Sequence, residues 1–335
     1  MKYTRREFGK VALAAVPAVA LMEKFGTATL LGQAKPNSMF KGVQIGTITY
    51  SYRSMPDQSG VATLKYLVDS GISACELMGG PAEQYAGAPQ APARGRVAAP
   101  PAPAAAAGAP APAAGRAAPT PEQLAYQADL KKWRLSVSMD KFKALRKMYN
   151  DAGVNIYAVK IMNPSMSDDE LDYVFNVAAA LGANHTTTEL PTKIEDLKRL
   201  GSFAEKHKIY AAYHTHLQGK LTVFDDAFAA SKGNMANIDF GHYVAGGGGD
   251  PLLFLNKFHD RIASFHLKDR QTPAHGAANL PWGQGDTPIK AILTTVEKNG
   301  WKMPATIEQE YEIPQGSNAV IEVKKCVQFC KDALA

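Results

Sequence analysis

The sequence predicts a single (β/α)8 TIM barrel. Short apolar runs and amphipathic stretches alternate eight times from residue 41 onward in this chain of 335 residues, which is the count that such a barrel needs. Several of the apolar runs end in a carboxylate or an imidazole. Because the carboxyl ends of parallel strands open on one face of a barrel, side chains at those ends meet although they are distant in sequence.

Each predicted strand is a short apolar run, and each predicted helix has recognisable ends. In the helix at 139–152, for example, Phe142 and Leu145 recur at helical spacing, Ser138 can cap the start and Gly153 ends the helix. The predicted strands are 43–50, 72–78, 155–160, 185–189, 209–214, 235–239, 262–266 and 305–310. The predicted helices are 61–70, 139–152, 168–181, 194–207, 222–230, 251–258, 288–298 and 319–334.

An open, doubly wound sheet is the alternative arrangement of these elements. That fold favours a glycine-rich nucleotide fingerprint after the first strand, and no G-x-G-x-x-G pattern follows residues 43–50. The glycine run at 246–249 follows the sixth predicted strand, where we interpret it as a flexible loop rather than a phosphate-binding turn.

The alternation is interrupted once, by an insert rich in alanine, proline and glycine at about 81–121. Such a composition cannot offset the entropy of ordering by burying apolar surface. We therefore expect a disordered surface loop within one barrel domain that spans residues 41–335, and not a boundary between two domains.

Residues 1–34 are predicted to be a signal peptide. Arg5 and Arg6 are followed by Phe8 and Lys10 and then by an apolar run at 11–22, a pattern that resembles a twin-arginine export signal. The run is shorter than the roughly 20 residues that a spanning helix needs, so no stable membrane span is expected. The pattern predicts the twin-arginine export machinery as a partner and a periplasmic or exported location.

Net charge and cysteine content indicate which partners and cross-links are not expected. The net charge is +6, but part of it lies in the N-terminal segment and the insert. There is no dense basic stripe with interleaved aromatic residues, so nucleic acid is not an expected partner. An odd number of cysteines, three in all, predicts no disulfide framework. A homo-oligomer is compatible with the sequence, which does not select an oligomeric state.

The fourth to eighth predicted strands each end in a side chain that can bind a metal. Neighbouring strands lie ~4.8 Å apart, so these side chains can reach one ion. Carboxylates combined with imidazoles suit Mn²⁺, Mg²⁺, Co²⁺, Fe²⁺ or Zn²⁺, and the sequence does not select among them. Each residue also has an ordinary structural alternative, such as a helix cap. The five residues are Glu189, His214, Asp239, His266 and Glu308.

Seven short motifs in this order resemble the sugar phosphate isomerase/epimerase family, the xylose isomerase-like TIM barrels. The resemblance extends from Lys41 to the C-terminus apart from the insert, and it implies a divalent metal held by Glu, Asp, His and Glu from consecutive late strands. Asp239, His266 and Glu308 match the last three of these positions. The motifs are V-Q-I-G at 43–46, D-A-G-V at 151–154, Y-H-T-H at 213–216, D-F-G-H at 239–242, F-H-L-K-D at 265–269, G-Q-G-D at 283–286 and I-E at 307–308.

The first ligand position departs from the family pattern. Family spacing implies a glutamate where this chain has His214, and a glutamate occurs one strand earlier, at Glu189. Either His214 replaces the usual glutamate, or Glu189 reaches across, or both bind. In the ketose 3-epimerase branch two glutamate ligands also move protons, so the departure leaves a lyase or hydratase acting on an oxidised sugar as an alternative.

The resemblance implies a carbohydrate substrate and a reaction that removes a proton next to a metal-bound carbonyl. We expect an isomerase or epimerase acting on a sugar or keto-sugar. The alternatives are a lyase or hydratase on a 3-keto glycoside and a non-catalytic barrel that binds metal or sugar. Phosphodiester cleavage is not favoured, because the first three strands supply no histidine. The candidate catalytic residues are Glu308, Glu189 and His216, and the candidate substrate-binding residues are Lys160, His216, His242, Lys268 and Trp282.

Overall fold

Eight parallel strands form a closed barrel in the computed structural model, which describes residues 34–92 and 120–335. Each strand pairs with its sequence neighbours, and β1 also pairs with β8, which closes the ring. The predicted TIM barrel is confirmed, and the open doubly wound sheet is excluded. The strands are β1 Val43–Ile48, β2 Ala74–Met78, β3 Asn155–Lys160, β4 His185–Glu189, β5 Tyr210–His214, β6 Asn234–Asp239, β7 Ile262–Leu267 and β8 Ala305–Ile307.

Helices pack around the outside of the barrel between successive strands. None of the helices in the described ranges is both long and apolar enough to cross a membrane. The helices are α1 Gly60–Asp69, α2 Gly79–Ala86, α3 Pro121–Arg134, α4 Met139–Asp151, α5 Asp168–Leu181, α6 Ile194–His207, α7 Asp225–Ala230, α8 Phe240–Ala245, α9 Pro251–Phe258, α10 Ile289–Asn299 and α11 Ala319–Ala333.

Two strands end earlier than predicted. β1 ends at Ile48 and continues as a 3-10 turn over Thr49–Tyr52, and β8 ends at Ile307. After β8, the N–H of Gln309 donates to the Ser51 hydroxyl at 3.1 Å instead of pairing with a neighbouring strand. The ladder therefore stops where its backbone donors find side-chain partners.

The prediction that disorder begins at residue 81 is wrong for the first residues of that range. Helix α2 spans Gly79–Ala86, where Ala82 is buried and Glu83 forms an ion pair with Arg134 of α3. One buried small side chain and one buried ion pair stabilise a helix that composition alone does not predict. Residues 93–119 of the predicted insert and residues 1–33 of the predicted signal peptide lie outside the described residues.

Polar side chains fill much of the space enclosed by the strands, whereas the apolar core lies between strands and helices. Thr47, Glu76, Thr187, Asn237 and Ser264 are all buried. Buried polar groups are stable only when hydrogen-bonded, so this interior predicts a network that leads toward one end of the barrel. Cys75, Cys326 and Cys330 are buried and free of disulfide bonds.

Candidate metal centre and active site

Four side chains from consecutive strands meet at the carboxyl end of the barrel. His214 ends β5, Asp239 ends β6, His266 lies near the end of β7, and Glu308 follows β8 directly. All four are buried, and one potential ligand atom from each lies within 4.8 Å of those of the other three. This group, the buried cluster, could hold a metal ion, as the strand-end pattern in the sequence predicts.

Two atoms of the buried cluster have no hydrogen-bond partner among the described residues. They are His214 Nδ1 and Asp239 Oδ2. Burial, followed by the neighbouring His266, holds the pKa of His214 well below its ordinary value, so its imidazole is neutral. Buried polar atoms are nearly always hydrogen-bonded, and metals bind neutral imidazole, so these atoms fit a cation ligand set. Asp239 Oδ2 already faces one cation, the ammonium of Lys268.

Lys268 adds a buried positive charge next to the cluster. Its Nζ lies 3.3 Å from Asp239 Oδ2, 3.2 Å from Glu308 Oε2 and 2.5 Å from Glu310 Oε2. Glu310 is partly exposed, whereas Asp239, Glu308 and a third carboxylate, Glu76, are buried. Three carboxylates and one ammonium leave two negative charges once metal binding makes all the imidazoles neutral. A divalent cation would balance them, and buried charge is costly unless it is balanced.

Glu76 is a site residue that sequence reasoning missed. It lies in β2 and is fully buried, with Oε2 2.8 Å from His266 Nε2. The other ring nitrogen of His266, Nδ1, lies 2.6 Å from Glu308 Oε2. Burial alone would lower the pKa of His266, but the two carboxylates raise it to about 10. The one signal in the sequence is an acidic residue inside an otherwise apolar strand.

Glu189 is not brought into the buried cluster. Its side chain is 52% exposed; Lys160 Nζ donates to Oε1 at 2.8 Å, and His216 Nε2 lies 3.5 Å from Oε2. Of the alternatives that the sequence leaves open, the geometry favours His214, and not Glu189, at the first ligand position. The rings of His214 and His216 are 5.2 Å apart, so the Glu189–His216 pair lies beside the cluster on its exposed side.

His242 lies close to His214 and His216, and ligand atoms of these three residues also fall within 4.8 Å of one another. However, both nitrogens of His242 face cationic donors: Nε2 lies 2.8 Å from Lys268 Nζ, and Nδ1 lies 2.5 Å from Arg270 Nη1. Burial first, and then these neighbouring cations, lower the pKa of His242 to about 3 in spite of Asp239. A neutral imidazole between two cations suits a polar ligand better than a second metal ion.

Trp282 packs against the last helix, α11. Its ring meets Phe329 of α11 edge to face, with centroids 5.7 Å apart. Trp282 and Phe329 also line a cavity of about 350 Å³ together with Tyr311. The predicted stacking of Trp282 on a sugar stays a prediction, and the structure gives this tryptophan a packing partner in the protein.

Asp269 explains why a glycine motif follows β7. Its buried carboxylate accepts hydrogen bonds from the N–H groups of Gly283, Gln284 and Gly285 at 2.7, 3.0 and 2.9 Å, and from Thr287 at 3.3 Å. A Cβ atom on Gly285 would collide with this carboxylate. Two separate motifs of the sequence, at 265–269 and 283–286, thus form one loop anchor next to Lys268.

A sequence profile described as "Xylose isomerase-like TIM barrel" matches residues 124–327, more than half of the chain. No curated protein matches this sequence.

Solved structures with the same fold cover most of the chain. A sugar phosphate isomerase/epimerase from Parabacteroides distasonis is 14% identical with a TM-score of 0.57, over 89% of this chain and 96% of that one. A probable 3-DHS dehydratase, AsbF, from Bacillus anthracis is 14% identical with a TM-score of 0.57, over 85% and 98%. A 3-keto-D-glucoside 4-epimerase from E. coli is 9% identical with a TM-score of 0.54, over 87% and 99%. Identities this low establish a shared fold and not a shared reaction.

Proposed function

Because the chain belongs to the xylose isomerase-like TIM barrel family, we propose that it is a divalent-metal-dependent isomerase or epimerase that acts on a sugar or keto-sugar. The observation that carries the proposal is the buried cluster, in which ligand atoms of four side chains lie within 4.8 Å of one another. His214 Nδ1, which is buried and lacks a hydrogen-bond partner, supports the proposal. So do the three buried carboxylates of Glu76, Asp239 and Glu308, which outnumber the single ammonium of Lys268.

The metal would be held by His214, Asp239, His266 and Glu308. When bound, a divalent ion supplies Lewis acidity that polarises a substrate carbonyl and makes the neighbouring C–H more acidic. Lys268 balances charge within the same pocket and stays protonated, because the carboxylates around it outweigh the effect of burial and raise its pKa. A fixed cation next to the reacting carbonyl would stabilise negative charge on the substrate oxygen.

Glu308 and His216 are the two groups that could move the substrate proton. Burial would raise the pKa of Glu308, but Lys268 and His266 hold that pKa well below its ordinary value. Glu308 is therefore a better ligand than base. His216 is 57% exposed and is approached by Glu189 at 3.5 Å. With Nε2 toward Glu189, the Nδ1 atom is left to accept the proton, as in other carboxylate–histidine bases.

The remaining polar residues are suited to substrate contacts. Lys160 Nζ donates to Glu189 at 2.8 Å, and its ammonium would reach a substrate oxygen on the same side. His242 is neutral and can accept from only one of its two cationic neighbours, Lys268 and Arg270. A substrate hydroxyl would replace the other neighbour and accept from the imidazole N–H. These contacts would orient a polyhydroxylated substrate over the buried cluster.

A lyase or hydratase acting on a 3-keto glycoside is the second candidate. His214 supports it, because this residue stands where the family resemblance implies a proton-moving glutamate. An enzyme with a single strong base can still remove a proton next to a carbonyl and expel a leaving group from the next carbon. Among proteins of similar fold, one is named as a dehydratase and one as a 3-keto-D-glucoside epimerase.

Deuterium exchange tests the proposal directly. The protein is incubated in D₂O with Mn²⁺ and a panel of ketoses, aldoses and 3-keto glycosides, and products are analysed by NMR and mass spectrometry. We expect deuterium at the carbon next to the carbonyl of one substrate class, with an epimerised or isomerised product. Exchange accompanied by loss of the glycosidic group would identify the lyase instead. A sugar that binds without any exchange would identify a non-catalytic barrel and contradict the proposal.

Matched variants assign the base. Because general bases contribute about 10²- to 10⁴-fold, H216Q should slow exchange by at least about 100-fold while metal binding persists. H207Q is the control: His207 lies in α6 and pairs with Asp172, away from the cluster. Equal rates in H216Q and wild type would exclude His216 as the base, and E308Q would then be tested with the bound metal quantified.

The paired arginines at positions 5 and 6 support export by the twin-arginine pathway, and we include this in the proposal. A fusion of residues 1–34 to a reporter should reach the periplasm of a bacterial host. The double variant R5K/R6K should keep the reporter in the cytoplasm, because the pathway depends on both arginines. Equal export of both fusions would exclude this route.

A further inference from the structure

Glu76 is a buried carboxylate that the proposed reaction does not use. It lies in β2, whereas the residues of the buried cluster come from the ends of β5 to β8, and it is fully buried. Its Oε1 accepts a hydrogen bond from Thr187 Oγ1 at 2.6 Å, and its Oε2 accepts one from Asn237 Nδ2 at 3.2 Å. Besides these two neutral donors, the carboxylate contacts the imidazole of His266, with Oε2 2.8 Å from Nε2.

The contact with His266 fixes a hydrogen on one ring nitrogen, Nε2. Glu76 Oε2 lies 2.8 Å from Nε2, and an ionised carboxylate only accepts hydrogen bonds. Nε2 must therefore be protonated at this distance. Asn237 Nδ2 could donate to an unprotonated Nε2, but it is 3.4 Å away. The shorter contact dominates, so Nε2–H points to Glu76.

The remaining nitrogen, Nδ1, faces the buried cluster. It donates to Glu308 Oε2 at 2.6 Å, so both ring nitrogens carry hydrogen here. Glu308 belongs to the group whose ligand atoms converge and Glu76 does not, so a bound cation would displace the hydrogen on Nδ1 and leave the one on Nε2. We propose that Glu76 is a positioning residue that fixes the ring and tautomer of His266 so that Nδ1 is the metal-binding atom. This inference rests on the proposed function, because it requires that the cluster binds a divalent ion.

A network behind Glu76 explains how it keeps its position. Asn237, which donates to Glu76, accepts a hydrogen bond from Ser264 Oγ at 3.0 Å through its own Oδ1. Ser264 in turn lies 2.9 Å from His185 Nε2. These residues come from β4, β6 and β7, so the barrel interior braces the carboxylate from three strands. Carboxylates that orient a metal-binding histidine in this way change metal affinity by about 10- to 100-fold.

The test measures Zn²⁺ binding, independently of any activity. Calorimetry on the full chain gives the affinity of wild type, E76A and E76Q, and circular dichroism verifies that each variant is folded. We expect Zn²⁺ to bind E76A about 10- to 100-fold more weakly than wild type, and E76Q less weakly than E76A, because the amide oxygen can still accept from Nε2–H. E76Q also decides the case if E76A fails to fold.

T187V is the matched control. It removes a different hydrogen bond from the same buried carboxylate, at 2.6 Å, and leaves the contact with His266 intact. Its Zn²⁺ affinity should stay within about threefold of wild type. If both Glu76 variants bind Zn²⁺ like T187V, Glu76 is only structural and the inference is overturned.

NMR provides the second readout. In Zn²⁺-loaded protein labelled with ¹⁵N-histidine, two-bond correlations should show His266 with hydrogen on Nε2 and metal on Nδ1. Metal on Nε2 would overturn the inference while leaving the proposed function in place. Failure of the wild type to bind Zn²⁺, Mn²⁺ or Co²⁺ would instead contradict the proposed function itself, so the two failures are distinguishable.

Discussion

Replacing Asp269 with alanine should destabilise the barrel through the loop that follows β7. The carboxylate is 3% exposed and accepts four backbone N–H groups, from Gly283, Gln284, Gly285 and Thr287. The variant D269A leaves all four donors without their partner. Two of them, in Gly283 and Gln284, belong to exposed residues and can turn to water, whereas those of Gly285 and Thr287 are more enclosed.

The expected loss of stability in D269A depends on how many of the four N–H groups can bond to water instead. At ~1 kcal/mol for each hydrogen bond, loss of the two enclosed bonds costs about 2 kcal/mol, and loss of all four about 4 kcal/mol. A domain of this size shifts its Tm by roughly 2 °C for each kcal/mol. We therefore expect the Tm of D269A to fall by about 4–8 °C, with greater amide exchange in residues 283–287.

Differential scanning calorimetry and hydrogen–deuterium exchange measure these two quantities. D286A is the control: Asp286 lies in the same loop and accepts the N–H of Thr272 at 2.7 Å, but it is at the surface. Its Tm should change much less. A D269A protein with the Tm of wild type and unchanged exchange at 283–287 would refute the view that this carboxylate anchors the loop.

Three further predictions concern the metal and helix α3. Treatment with a chelator should lower the Tm, and added Mn²⁺ should restore it. At a free-ion concentration 100 times Kd, binding raises the free energy of unfolding by about 2.7 kcal/mol. An unchanged Tm would argue against a resident metal. R134A should selectively raise amide exchange in α3, because Arg134 is 13% exposed and bonds to Glu83 and Glu170, with the exposed ion pair variant K143A as control; unchanged exchange would show that other contacts retain the helix. Burial would raise the pKa of Glu170, but Ser167 and Arg134 lower it, so this contribution is present above the ordinary glutamate pKa and is lost as pH falls through the lowered value. Protection factors in α3, corrected for the intrinsic effect of pH on amide exchange, should therefore fall on acidification; constant protection factors would contradict this.

The sequence by itself determined the barrel and most of the buried cluster. Alternating apolar and amphipathic segments are local patterns, and they predict eight strands wherever tertiary contacts do not compete. The convergence of Asp239, His266 and Glu308 follows from topology alone, because parallel strands place their carboxyl ends on one face. The position of His214 at the end of a predicted strand can be seen in the sequence in the same way.

Only the tertiary structure decided which neighbouring side chains share hydrogen bonds and charge. It separated Glu189 from the cluster by pairing it with Lys160, and it surrounded Lys268 with carboxylates. It also turned Glu76 toward His266 across the barrel, at a strand irregularity between Cys75 and Glu76 that no sequence pattern marks. The physical reason is distance along the chain. Periodicity depends on residues that are close in sequence, whereas side-chain direction and ion pairing depend on residues that are far apart, such as Glu76 and His266 at a separation of 190 positions.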